Sequence, residues 1–184
     1  MVSKEDFEES VLPHMRAAFN LAYWIVRSRE EAEDVVQDAF VRAFRGFARF
    51  DGAAPKAWLL TIVRNVAYRA LQSRKRSANV VLFSEDLRNQ EGGDVRELPS
   101  PERSAEALLV AQSESHELLA ALAELPVSYR EVVVLRELEG LSYSEIARTV
   151  DAPVGTVMSR LSRGRAELRN ALARHIAKDE TDAV

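Results

Sequence analysis

Two stretches of this chain carry side chains able to meet phosphates. Between Lys56 and Arg76 there are six basic residues (Lys56, Arg64, Arg69, Arg74, Lys75 and Arg76) and no acid; between Ala152 and Lys178 there are six more (Arg160, Arg163, Arg165, Arg169, Arg174 and Lys178) against Glu167 alone. The whole chain, 184 residues, carries a net charge of −4. Local charge density rather than the total governs counterion release, so two basic islands in an acidic chain imply two places where a phosphate backbone is met. Each island by itself is equally compatible with a solvated helix face. Chemistry of the bond-breaking kind has little to stand on. His14, His116 and His175 lie far apart, there is no cysteine, no glycine-rich phosphate cradle is present, and the hydroxyl residues lack an evident base. No cofactor and no metal set is expected, and an enzyme is not the expected class.

The second island opens with a helix pair. Ser142 and Glu145 have the spacing of a capping box, Ile146, Ala147 and Val150 give an apolar face, and a turn through Asp151 and Ala152 leads to a helix beginning at Pro153. Val157, Leu161 and Leu168 supply that helix's buried side, and small Ala147 allows a close crossing. The opposite side carries Gly155, Thr156, Ser159, Arg160 and Arg163. Such a helix enters a major groove N-terminus first, with Thr156, Ser159 and Arg160 at base edges and Arg163 or Arg165 at phosphates. This is the layout of a helix-turn-helix; an ordinary helical hairpin with a basic face is the alternative.

The elements around the first island are helical too. Ala32, Val35, Val36, Ala39, Phe40, Ala43 and Phe44 trace one face of a 3.6-residue period, with Ser28 and Glu31 spaced as a capping box. A third helix is expected from Pro55 through Arg76, with Trp58, Leu59, Ile62, Val66 and Ala70 on its apolar side and Thr61, Arg64, Asn65, Tyr68 and Gln72 on its polar side. Behind a loop containing Phe47 and Phe50, this cationic and aromatic stripe suits unstacked single-strand bases, though plain solvated surface stays open for it. From Ser77 to Pro99 the periodicity fails and five acids face two arginines around Gly92-Gly93, which reads as a flexible linker. Ser100-Pro101-Glu102 restarts helix, and Pro126, Gly140 and Pro153 divide the rest into four helices. The expected fold is all-α: a helical domain over 1–76, an acidic linker over 77–99, and a helix-turn-helix domain over 100–184. The N-terminus lacks the basic start of a signal peptide, and the Ala17–Val26 apolar stretch is too short to span a bilayer, so a cytoplasmic protein with no membrane partner is expected.

A succession of motifs then resembles the extracytoplasmic-function sigma factors of the sigma-70 family. It runs Glu33 to Phe44, Ala57-Trp58-Leu59 with Arg64-Asn65, Leu125-Pro126 with Tyr129-Arg130-Glu131-Val132, and Gly155-Thr156-Val157 with Ser159-Arg160-Leu161. The resemblance implies a region 2 domain followed by a region 4 domain. It implies docking of Asp34, Gln37, Asp38, Val41 and Arg42 on the clamp coiled coil of RNA polymerase core, and contact of region 4 with the flap. It implies that the loop with Phe50, then Arg64, Asn65, Arg74, Lys75 and Arg76, meet the minus-ten element of promoter DNA, while the recognition helix meets the minus-thirty-five element. An anti-sigma factor is a further expected partner. Two positions depart from the common pattern: Tyr68 stands where many members carry aspartate, and Met158 where many carry lysine. A stand-alone activator or repressor, which binds its operator without polymerase, and a decoy that only captures an anti-sigma factor, are the rival readings.

Overall fold

The computed structural model describes residues 4–81 and 117–182, with side chains from 5 to 76 and from 117 to 177. The expected helix restart at Ser100 and most of the 77–99 segment lie outside the described residues. Eight α-helices are described: α1 (Lys4–Val11), α2 (Met15–Val26), α3 (Arg29–Gly46), α4 (Pro55–Val81), α5 (residues 117–124), α6 (Val127–Val133), α7 (Tyr143–Val150) and α8 (Val154–Asp182). No strand occurs among the described residues.

In the N-terminal bundle α2, α3 and α4 pack on one another. Leu21 and Ile25 of α2, Val35, Ala39 and Ala43 of α3, and Leu59, Leu60 and Val63 of α4 are buried. The small residues of α3 let it lie close against α4, since a smaller side chain brings the axes together. On α4 the buried stripe is Leu59, Leu60, Val63, Val66 and Ala67, while Trp58 and Ile62 are half-buried. That is a rotation from the apolar side read in the sequence. Its cause is visible: Trp58 leans outward to stack on Phe50, with ring centroids 4.6 Å apart. The α4 backbone also continues to Val81, past Arg76, because the first helix breakers, Gly92-Gly93, come later. At the start of α3 only half of the expected capping box forms. Ser28 accepts the Glu31 amide at 3.3 Å, whereas the Glu31 carboxylate turns to Arg74 at 3.5 Å.

In the C-terminal half, Pro126 and Pro153 each sit just before a helix and lend a carbonyl to its first turn. Arg130 N–H donates to Pro126 at 2.9 Å and Val157 N–H to Pro153 at 3.1 Å. The Ser142–Glu145 box before α7 is complete, and Asp151 ends α7 at φ 50°, a left-handed position that aspartate tolerates better than most residues. After α6 the chain runs as a π-helical turn over Val134–Leu138. A residue in an α-helix advances about 100° around the axis, so the one-residue widening re-aims the side chains beyond it, Glu139 among them.

Gly164 is where α8 crosses α6: a Cβ there would stand 3.0 Å from the Val133 side chain and 3.3 Å from Tyr129 Cβ. Gly164→Val is therefore expected to lower stability by about 1–3 kcal/mol through overpacking, read as a reduced midpoint in urea denaturation. An unchanged midpoint would contradict this crossing.

Candidate nucleic-acid interface

The side chains read as groove-facing on α8 differ in their exposure. Ser159 and Arg163 are exposed and Thr156 is half-buried in the first turn of α8, where the unpaired helical N–H groups favour an anion. The Ser159 hydroxyl donates to the Thr156 carbonyl at 2.9 Å. Met158 is 52% exposed on the same side, an apolar contact surface in the position of the common lysine. Arg165 is exposed but engaged, its Nε and Nη2 reaching one Glu137 oxygen at 2.9 and 2.6 Å. Arg160 does not stand out into solvent with Arg163. Its guanidinium bends back to within 3.9 Å of Glu131.

On the N-terminal half, Asn65, Arg74, Lys75 and Arg76 are exposed along α4. Phe50 is half-buried between Phe47 and Trp58. It lines a cavity of about 230 Å³ together with Asp51, Ala54, Trp58, Arg148 and Thr149. The last two residues belong to α7, in the other half of the chain. Asp34, Gln37, Val41 and Arg42 are exposed on one face of α3, with Asp38 half-buried among them and bonded to Arg42 Nε at 2.9 Å. Phe44, read from periodicity as core, is 55% exposed and continues that face one turn beyond Val41. It meets Phe7 edge-on, with ring centroids 5.2 Å apart.

Arg64 lies elsewhere than a solvated stripe would place it. Its Nε donates to Glu131 Oε2 at 2.7 Å and its Nη2 to Oε1 at 3.2 Å, a bidentate pair across the two halves of the chain. The Glu131 side chain is 0% exposed. Tyr68 stacks on the Arg64 guanidinium at 4.5 Å. The motif survey could not anticipate this pair, because nothing local links positions 67 residues apart. Arg130, next in the chain, is buried, and loss of water lowers its pKa to about 10; its Nη1 donates to the Ala123 carbonyl at 2.7 Å.

Among the described residues no group of three or more His, Asp or Glu side chains is arranged to hold a metal ion, and no helix is long and apolar enough to cross a membrane.

A helix-turn-helix with an exposed polar face, preceded by a helical bundle with its own basic helix, is the architecture of helical transcription proteins. Comparison with known proteins narrows this. The family model described as Sigma-70 region 2 matches residues 11–77, and that described as Sigma-70, region 4 matches residues 115–168. The chain belongs to the extracytoplasmic-function sigma factors of the sigma-70 family. It is 36% identical over 172 residues to the RNA polymerase sigma-H factor of Pseudomonas aeruginosa, covering 92% of this chain and 87% of that one. It is 32% identical over 177 residues to the extracytoplasmic-function factor SigE of Mycolicibacterium smegmatis, covering 96% of this chain but spanning only 65% of that relative. Among solved structures, the sigma factor RpoE of Bartonella quintana in complex with the anti-sigma factor NepR matches with a TM-score of 0.75 at 26% identity, covering 92% of this chain and 98% of that one. CnrH in complex with the cytosolic domain of CnrY matches with a TM-score of 0.61 at 26% identity, covering 94% and 90%.

Burial and the Glu131 charge push the Tyr68 phenol up to about 12 from 10.0. Raising the pKa favours the neutral phenol in the folded chain, so its contribution to stability is present below the ordinary value of 10.0 and is lost as pH rises through about 12. Ultraviolet titration is expected to show one late-ionising tyrosine that Tyr68→Phe removes. Identical titration curves for the two proteins would contradict the buried cluster.

Proposed function

We propose that this chain directs RNA polymerase core to a set of promoters and helps to open them. The observation that carries the reading is the succession of two basic helical units in the order region 2 then region 4. In this reading residues 1–76 form the unit for core and the minus-ten element, 77–99 the tether, and 100–184 the unit for the minus-thirty-five element. Two modest binding units on one tether reach an affinity together that neither has alone.

Thr156 and Ser159 read base edges in the major groove, and Arg163, with Arg165 released from Glu137, meets phosphates. Arg160 reaches the duplex only by leaving Glu131. Phe50, Arg64 and Asn65 meet the unstacked minus-ten strand, with Arg74, Lys75 and Arg76 at the backbone. Capture of extruded bases shifts the closed promoter toward open by the difference in affinity between the two states. Asp34, Gln37, Asp38, Val41 and Arg42, extended by Phe44, dock on the polymerase clamp. The chain works by binding in the cytoplasm and leaves catalysis to the polymerase. An anti-sigma factor restrains it, as the two solved relatives, each captured with such an inhibitor or its named partner, support.

Transcription reconstituted from the protein, core polymerase and genomic promoter fragments tests this, with initiation at discrete starts as the expected result. No core binding and no specific initiation would overturn it. Phe44→Ala is expected to weaken core binding about tenfold while sparing the fold, as suits a partner-facing aromatic worth about 1–2 kcal/mol. Arg163→Ala is expected to weaken binding to all upstream duplexes alike and to reduce the salt slope by about one, measured by promoter binding of the polymerase complex at several ionic strengths.

A further inference from the structure

The outer side of α8 is apolar along one line. Val154 and Met158 stand one turn apart, 43% and 52% exposed, and Ser162 is exposed one turn further on. Residues four apart share a face of a helix, so these three form one stripe. Beside it runs a second exposed stripe of Gly155, Ser159 and Arg163, while Val157 and Leu161 are buried. A single exposed apolar side chain needs no explanation. An apolar pair on the face that carries Ser159 and Arg163 calls for one.

Gly155 supplies an independent observation. Glycine is a poor helix former, yet it occupies the second position of α8. A Cβ placed there would meet nothing within 4 Å, and the backbone is not in the left-handed region. Neither packing nor geometry within the described chain requires a glycine here; close approach of something outside the chain does. Two polar groups at this end of the helix are already engaged: the Ser159 hydroxyl donates to the Thr156 carbonyl at 2.9 Å, and Arg160 is drawn to within 3.9 Å of Glu131. From Ala152 to Ala166 there is no acid, and Arg160, Arg163 and Arg165 carry the charge. The partner that suits this face is therefore a polyanion that also presents apolar groups. Duplex DNA offers one such group in its major groove, the C5-methyl of thymine.

We propose that Met158 determines specificity by reading the methyl group of a thymine in the minus-thirty-five element, with Gly155 letting the helix come close to the base edges. The inference rests on α8 meeting that element as duplex. Methionine is unbranched and adaptable, so its thioether can lie along a methyl group, while it brings no proton to a base and no charge to a phosphate. The lysine common at this position does the reverse: its ammonium carries three donors and is drawn to the acceptors of guanine or to a phosphate. The exchange moves this contact from charge to shape. It makes thymine, not guanine, the base favoured beneath position 158.

Uracil is thymine without this methyl, so the contact can be removed from the DNA alone. On a promoter mapped by reconstituted transcription, each thymine of the upstream element, on either strand, is replaced singly by deoxyuridine. Binding of the polymerase complex is then measured with the native chain and with Met158→Ala. One replacement is expected to weaken binding by the native chain about fourfold, as loss of one buried methyl does, and to leave binding by Met158→Ala unchanged. Met158→Lys is expected to be equally indifferent to that replacement and to steepen the salt dependence by about one. Because Met158 is exposed, both variants should unfold at the native temperature, which separates a lost contact from a lost fold. A native chain that tolerates every replacement, an element without thymine, or a replacement that weakens native and variant chains alike would overturn the proposal. Binding that ignores scrambling of the whole upstream element would instead remove the role given to α8, and the inference with it.

Discussion

The Glu131 carboxylate is wholly buried, and a buried carboxylate must be met by cations or give up its charge. Here it is met by Arg64 of α4 at 2.7 Å and, more distantly, by Arg160 of α8 at 3.9 Å. Those two arginines come from different halves of the chain. The placement of the halves follows from that demand together with apolar packing, since one buried cluster takes in Leu59 and Leu60 of the first half and Leu135 and Ile146 of the second, and Glu139 pairs with Lys56 and Asn20. The surfaces remaining to solvent follow as well. The α3 face from Asp34 to Phe44 and the recognition helix from Thr156 to Arg163 stay accessible in large part, while Arg64 is engaged by Glu131 and Phe50 is half-buried beside α7.

A buried ion pair contributes less to net stability than its short distances suggest, because both partners have been stripped of water. What it does well is discriminate between arrangements, since each partner separated without replacement is costly. On the proposed promoter-contacting role of Arg64, a phosphate would have to replace Glu131 at its guanidinium. Few kilocalories are needed to make such an exchange decisive, as a shift of about 1.4 kcal/mol changes a population ratio tenfold.

The helix-turn-helix was legible in the sequence because each of its signals is local. Ser142 and Glu145 are three residues apart, Pro153 stands at a helix start, and the polar face of α8 repeats with the helix, and all appear in the structure as read. The family succession was legible for the same reason. The Phe44 position was misread because periodicity records which residues share a face, not whether a neighbouring helix reaches far enough along to cover it. The apolar side of α4 was read one step off because Trp58 stacks on Phe50 across a loop. The Arg64 to Glu131 pair was beyond reach: two charged residues on separate helices carry no sign of each other. Tyr68 was marked as a departure, but its meaning as the cover of Arg64 needed the second half of the chain in place.

The separation of the two halves in the free chain and in the presence of polymerase and promoter can be followed in one measurement. Because the chain lacks cysteine, donor and acceptor dyes can be placed at Glu9→Cys on α1 and Glu167→Cys on α8, both exposed and outside the Glu131 and Glu139 pairs and the proposed contact faces. Energy transfer is expected to be high in the free protein and to fall when core polymerase and promoter DNA are added together. Equal transfer in both states, with initiation confirmed in the same sample, would contradict the account.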